Sequence, residues 1–331
     1  MKLAQVPPGF DPDRDPFPGQ VRLGEPCQCG SGQKAIYCCW SNGHFLPKAV
    51  KRYRRPRGIL ISNPGCYAAP LRDCSKKLSG EHWLSKSLLR AVAKGSKKIG
   101  VLGHDWQTET LQVVGIEGLN AKILCERHNE ALSGLDTVMQ RFARALVDAE
   151  RILHSADLPD DAHDVHLFRG DDVERWLLKA VIGAVVTGHA TGVPRTWKPP
   201  IDWLEYLFLD GALPPSRGFF FPQFSGVRPI VAPFSSVYLA ISAYAGEGQG
   251  PLPRFAQFWI CGMDVVCITP YAGRVEIPNA RTLLHRPGEI RLVSGARFVS
   301  FILGWQTPGA DSRRSTMVRV KRMPIQERAP S

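Results

Sequence analysis

Four residues do most to limit how this chain can fold: Cys66, Cys74, Cys125 and His128. Three thiols and an imidazole form a complete, sulfur-rich ligand set for one tetrahedral zinc, and a site with four protein ligands is closed and structural. The two halves of the set lie far apart in sequence, so a shared ion would pin two distant segments together. Between the halves stand Glu81 and His82. Asn120 precedes Cys125, and Asn129 directly follows His128. Pinning would therefore set an acid and an imidazole on a strand opposite an amide at the start of a helix. Leu132, Leu135 and Met139 recur at helical spacing and support a helix over 129–140.

A second cluster lies upstream, in Cys27-Gln-Cys29-Gly-Ser-Gly-Gln-Lys-Ala-Ile-Tyr-Cys38-Cys39. Two thiols one residue apart and two adjacent thiols further on can close around one zinc. Gly30 and Gly32 let the backbone turn tightly. A knuckle of this size has too little core to fold alone, so metal binding would supply its folding energy. The string resembles the SEC-C zinc motif, whose four ligand positions are Cys27, Cys29, Cys38 and Cys39 here. The resemblance implies a docking or structural element and does not name a function.

The segment holding Glu81-His82 and Asn120-Ala-Lys-Ile-Leu-Cys125-Glu-Arg-His128-Asn129 is similar to the HNH endonuclease family. That resemblance implies a ββα-metal fold with a structural zinc and hydrolysis of phosphodiester bonds, preferably in DNA. It implies His82 as the general base that takes a proton from the attacking water. Asn120 would orient the imidazole through a hydrogen bond. Glu81 and Asn129 would hold one Mg²⁺ or Mn²⁺, hard cations suited to oxygen ligands. The chain departs from the family pattern at four points, one being a gap from His82 to Asn120 longer than in compact members. Seven residues separate Cys66 from Cys74, His128 stands where a second cysteine is usual, and Ser85 replaces a proline. The competing expectation is a non-catalytic, zinc-dependent protein that binds nucleic acid or another protein through a degenerate HNH fold.

Charge agrees with a polyanionic partner. The 331 residues carry 42 Lys and Arg against 30 Asp and Glu, a net +12, and Lys and Arg also exceed Asp and Glu before residue 140. In the linker at 48–57, Arg52, Arg54, Arg55 and Arg57 are placed to grip phosphates, with Tyr53 placed to stack on a base. No apolar run approaches a membrane span, and the N-terminus lacks a hydrophobic signal core. The expectation is a cytoplasmic protein without membrane contact. Clustered cysteines in such a reducing compartment read as metal ligands or core residues rather than disulfides.

The expected fold class is α+β and multidomain. An irregular arm at 1–26 leads to the zinc knuckle at 27–47, the basic linker at 48–59 and the zinc-stabilised HNH-like module at 60–140, where 99–116 supplies a hairpin. A helical connector follows at 141–215. Leading into it, Val138, Phe142, Leu146, Ala149 and Leu153 share one helical face. A second helix starts after Gly170, with Asp171 and Glu174 as a capping box. A third covers 202–209. The segment with His163 and His166 reads as a solvated loop. From 216 to 331, β-branched and aromatic runs predict a mostly antiparallel β domain ending in a loose basic tail. The knuckle and the β domain are the expected docking places for a protein partner. Cys261 and Cys267 read as core thiols.

Overall fold

The computed structural model describes residues 24, 26–27, 33–41, 44–45, 49–58, 61–93, 95–101, 112–190, 193–194, 196–209, 211, 213, 217–224, 228–230, 237–244, 252–260, 263–269, 280–306 and 315–322. The expected arm at 1–26, Cys29, Cys261 and the middle of the expected hairpin lie largely or wholly outside these residues. The knuckle contributes a short helix, α1 (Ala35–Cys38), and an antiparallel pair, β1 (Trp40–Ser41) with β2 (His44–Phe45).

The next unit is built on two antiparallel strands and a helix. β3 (Leu78–Glu81) leads to α2 (Lys86–Val92) and to the hairpin β4 (Lys98–Val101) and β5 (Gln112–Gly115). The chain then returns as β6 (Ala121–Cys125) and continues directly into α3 (Glu126–His154). β3 and β6 pair Leu78 with Cys125 and Glu81 with Ala121, with an irregularity after Ser79. Such a bulge redirects the residues that follow it.

Helix α3 runs for 29 residues, straight through the expected boundary at 140. The reason is its apolar stripe. Leu132, Leu135, Met139, Phe142, Leu146, Ala149 and Leu153 form one continuous buried face, so the two helical patterns belong to one element. One hydrophobic core extends from Cys66 and Leu71 through α3 to Phe301 and Val320.

Beyond it come β7 (His163–Arg169), α4 (Gly170–Val186) and α5 (Ile201–Phe208). The strands β8 (Gly218–Phe224), β9 (Arg228–Ile230), β10 (Val237–Tyr244), β11 (Leu252–Ile260), β12 (Met263–Ile268) and β13 (Ala280–His285) follow. The last are β14 (Glu289–Ser294), β15 (Arg297–Gly304) and β16 (Ser315–Arg322). One sheet has the order β10-β11-β12-β8-β13 and is antiparallel throughout. The other, β7-β15-β14-β16-β9, is mixed, because β7–β15, β14–β16 and β16–β9 are parallel pairs.

Two expectations change here. The segment with His163 and His166 is strand β7 rather than a loop. Val165 and Leu167 turn toward the knuckle's Cys27, Ala35 and Cys39, while Phe168 packs on Phe142 of α3. Half of the expected basic tail, Ser315–Arg322, is strand β16, held against β14. Both segments carry charged residues among their apolar ones, and the buried positions are Val165, Leu167 and Phe168 in β7 and Thr316 and Val320 in β16.

Helix α4 is buried along its length except for Val186, although it carries Asp171, Asp172, Glu174, Arg175 and Lys179. Each charge has a partner, as buried charges require. Asp172 accepts from Val50 N at 2.8 Å and pairs with Arg175, which also donates to Leu207 O. Glu174 accepts two bonds from Arg286 and one from Phe219 N. The left-handed backbone at Gly218 (φ 99°) lets this carboxylate approach where a Cβ would collide with it. The expected capping box is therefore absent. Arg169 takes the N-cap position, Asp171 accepts from Gln306 N at 2.8 Å, and Glu174 faces the core.

Candidate metal centre and adjoining cleft

Cys66, Cys74, Cys125 and His128 converge as the sequence suggested. All four are buried, and their ligand atoms lie within 4.8 Å of one another. Nδ1 of His128 stands 3.5 Å from Cys66 Sγ, 3.8 Å from Cys74 Sγ and 3.2 Å from Cys125 Sγ. A tetrahedral zinc with ordinary Zn–S and Zn–N bonds places sulfur and nitrogen about 3.6 Å apart. The cluster can hold a metal ion, and its donor set suits zinc.

Local structure explains the spacing. Cys125 ends β6 and is the N-cap residue of α3, and His128 lies in the first helical turn. Two intervening residues at a strand-to-helix joint carry both side chains to the same side. Ser75 N donates to Cys125 Sγ at 3.3 Å. Burial raises the Cys125 thiol, but that bond and the His128 backbone N–H outweigh it, holding the thiol below its ordinary range. Burial lowers the His128 imidazole, against the pull of Asp73, and so favours the neutral, ligating form.

Asp73 is the functional residue that motif reading missed. Its Oδ1 lies 2.9 Å from His128 Nε2, with both side chains fully buried. His128 Nε2–H donates to the carboxylate, which leaves the Nδ1 lone pair to face the three sulfurs, a common arrangement behind a metal-bound histidine. Arg55 stands 3.5 Å from the other carboxylate oxygen. The available signal was simply an acid adjoining a ligand, Asp73-Cys74.

In the knuckle, Cys27, Cys38 and Cys39 bring their sulfurs together and can hold a metal. The expected fourth ligand, Cys29, lies outside the described residues.

The basic linker is less free than expected. Arg52 donates to Tyr206 O at 2.8 Å, and Tyr53 N donates to Phe208 O. The Tyr53 ring packs edge-on against His128 and Phe208, at 5.5 and 6.4 Å between centroids. The ring thus straps the linker onto His128 of the metal cluster. Arg54, Arg55 and Arg57 remain exposed.

Beside the metal cluster opens a cleft of ≈ 340 Å³ lined by residues including Glu81, His82, Lys86, Glu126, Asn129, Glu130 and Asp136. His82 lies just past β3. Its Nε2 is 3.0 Å from Ile116 O, and a carbonyl can only accept, so Nε2 carries the proton and Nδ1 the lone pair. Burial lowers this imidazole below its ordinary value, with partial compensation from the Ile116 carbonyl.

Asn120, expected to orient His82, instead donates to Glu117 O at 2.7 Å. It braces the turn that carries Ile116, and the Ile116 carbonyl takes over the orienting bond. Asn129 donates from Nδ2 to Ser79 Oγ at 2.9 Å and to Gly80 O at 3.2 Å, tying α3 to β3 and leaving its Oδ1 as the free acceptor end.

Glu81 differs most from expectation. It is buried, and its Oε1 lies 2.6 Å from Lys179 Nζ; the same ammonium stands 2.6 Å from Asp136 Oδ1. Burial pushes the Glu81 carboxyl up, and Lys179 pulls it back. Burial opposes the Lys179 charge, but Asp136 and Glu81 outweigh it and hold the ammonium above its ordinary range.

The residues therefore do not fit a Mg²⁺ or Mn²⁺ ion on Glu81. Asn129 offers an oxygen, but Lys179 already supplies the positive charge that the carboxylates call for. A divalent ion roughly 5 Å from that ammonium would meet about 7 kcal/mol of repulsion at an effective dielectric constant near 20.

No described helix is long and apolar enough to cross a membrane. Comparison of the chain with protein-family models, curated proteins and solved structures finds no match.

Proposed function

We propose that this chain is an HNH-like phosphodiester hydrolase acting on nucleic acid, DNA by preference, with structural zinc in the Cys66 cluster and in the knuckle. One observation carries the reading: His82, with Nε2 tied to Ile116 O, lines the same cleft as Asn129, on a β3–β6–α3 unit pinned beside a closed metal cluster. In the proposed step, a water at His82 loses its proton to Nδ1 as its oxygen attacks phosphorus. The P–O bond to the leaving oxygen breaks, and that oxygen is protonated from solvent. Asn129 holds β3 and α3 at a fixed separation, and Lys86, ion-paired with Glu117, lines the cleft wall. The +12 net charge draws the polyanion in. No step is assigned to a divalent ion.

The test is cleavage of plasmid, single-stranded DNA and RNA by the wild type and His82→Ala. Loss of general-base catalysis costs about 10²–10⁴-fold. Equal cutting by His82→Ala with unchanged zinc content would remove the proposed base.

A second reading is a zinc-dependent binding protein without catalysis. It is favoured by the engagement of Glu81 with Lys179 and by the carboxylates of Glu126, Glu130 and Asp136 along the cleft. Absence of cleavage on every substrate, with nucleic-acid binding retained, supports it.

A further inference from the structure

We infer that Lys179 is the built-in counter-ion of the cleft's Glu81 and Asp136 carboxylates: from behind the cleft wall, its ammonium supplies the charge that a divalent ion would otherwise supply. The inference rests on reading Glu81-His82 as the segment bearing the chemistry.

The placement is built rather than incidental. Three positions on one face of α4 contact the end of β3 or the turn that follows it. Trp176 donates from Nε1 to Ser85 Oγ at 2.5 Å, and Ser85 in turn donates to Asp136 Oδ1. Lys179, one turn on, reaches both carboxylates. Gly183 allows Trp83 to lie so close that a Cβ would stand 2.6 Å from its side chain and 3.2 Å from its Cα. Spacings of three and seven residues set these positions on one helical face.

The ammonium is nearly inaccessible, at 1% of its side-chain surface, so it cannot be exchanged for solvent ions by rotating outward. It also does not line the cleft, so it acts through the two carboxylates and is a positioning residue. Lysine is a compact point charge with three donors, which suits one cation shared between two carboxylates. The cleft wall is thereby charge-compensated from behind, by a helix the sequence had assigned to a separate connector.

The test is Mn²⁺ titration of the zinc-loaded full chain, followed by electron paramagnetic resonance. In the wild type, no Mn²⁺ site depends on Glu81, and Glu81→Gln leaves the isotherm unchanged. Lys179→Met opens the carboxylate pair and gains one Mn²⁺ bound at least about tenfold more tightly than any site of the wild type. Adding Asp136→Asn abolishes the gain, and Lys179→Arg, which keeps the cation, never shows it. Two results overturn the inference: loss of a wild-type Mn²⁺ site in Glu81→Gln, or a zinc-replete Lys179→Met with native circular dichroism that gains none. Should Lys179→Met fail to fold, the Glu81→Gln comparison decides alone. The titration reads binding without turnover, so cleavage by His82→Ala tests the catalytic reading independently.

Discussion

The Cys66–Cys74–Cys125–His128 cluster and the Glu81–Asp136 pair both gather negative charge, and they answer the same electrostatic demand in different ways. The first brings four ligand atoms to the spacing of one tetrahedral ion and leaves the charge to be met by a metal. The second meets the charge from within the chain, through Lys179. A cluster able to hold a metal and a metal-free salt bridge thus share the β3–β6–α3 unit. The cluster determines where the cleft is, and the salt bridge determines which cations the cleft accepts.

The largest way to break this comparison is to remove a thiol. Cys125→Ser leaves an incomplete site at the joint of β6 and α3. Structural zinc contributes apparent binding energies of about 10–16 kcal/mol to small zinc domains, and much of that is folding energy. The expected outcome is loss of one zinc by elemental analysis and collapse of the unit from Cys66 to Met139, seen as loss of the native thermal transition. A native-like melt would show that the fold does not depend on the cluster. Strong chelation of the wild type should reproduce the effect.

Next in size is Lys179→Met. Removing one partner of a buried ion pair leaves an uncompensated charge and costs about 3–5 kcal/mol. Here two carboxylates lose the same partner. The melting temperature should fall by several degrees or more, with zinc content intact. The double variant Lys179→Met, Glu81→Gln should recover part of the loss, because it removes one uncompensated charge. Strict additivity of the two losses would mean that the 2.6 Å contact carries no coupling.

These two regions were not equally legible in the sequence. The thiol cluster was, because ligand chemistry restricts it to cysteine and histidine, and because Cys125 and His128 straddle one strand-to-helix joint. Asp73 was less so: an acid beside a ligand is common, and nothing local marks it as the partner of His128 Nε2. Lys179 was invisible. It looks like a surface charge on a helix whose apolar pattern, Val173, Trp176, Leu177, Ala180, already accounts for the segment. Its burial follows from packing α4 between the two sheets and the metal-bearing unit, which is tertiary information. The same cause explains Glu174, which reads locally as a cap and in fact anchors Arg286 across the core. Asn120 shows the converse. The residue type was right for orienting an imidazole, but a backbone carbonyl, Ile116 O, had the shorter path and took the role.

A third prediction sharpens the metal side. Asp73→Asn keeps the size of the side chain but removes the charge that orients His128. Such partners typically contribute 10–100-fold to metal affinity, about 1.4–2.7 kcal/mol. The zinc affinity of the second site, read by competition with a chromogenic chelator, should fall within that range while the knuckle site is unaffected. An unchanged affinity would mean that the Asp73–His128 contact holds the ring without tuning it.

The smallest effect is in the pH dependence of His82, and it links the two regions. Burial lowers this imidazole below its ordinary value of 6.5. A base with a lowered value stays unprotonated, so kcat/KM should hold steady from pH 7 through 6.5 and fall only at lower pH. The stability sign follows from the same shift. Below pH 6.5 the unfolded chain takes up the proton more readily than the folded one, so the His82 contribution is complete above pH 6.5 and is lost as pH falls from there through the folded value. Asp136 raises the His82 value, and in the wild type its charge is offset by Lys179. Lys179→Met removes the offset, so the acid limb of the kcat/KM profile should move to higher pH. Asp136→Asn should move it lower, and Asp73→Asn, on the metal side, should leave it in place. A limb that ignores both Lys179 and Asp136 would separate His82 from the salt bridge and leave the base governed by burial and the Ile116 carbonyl alone.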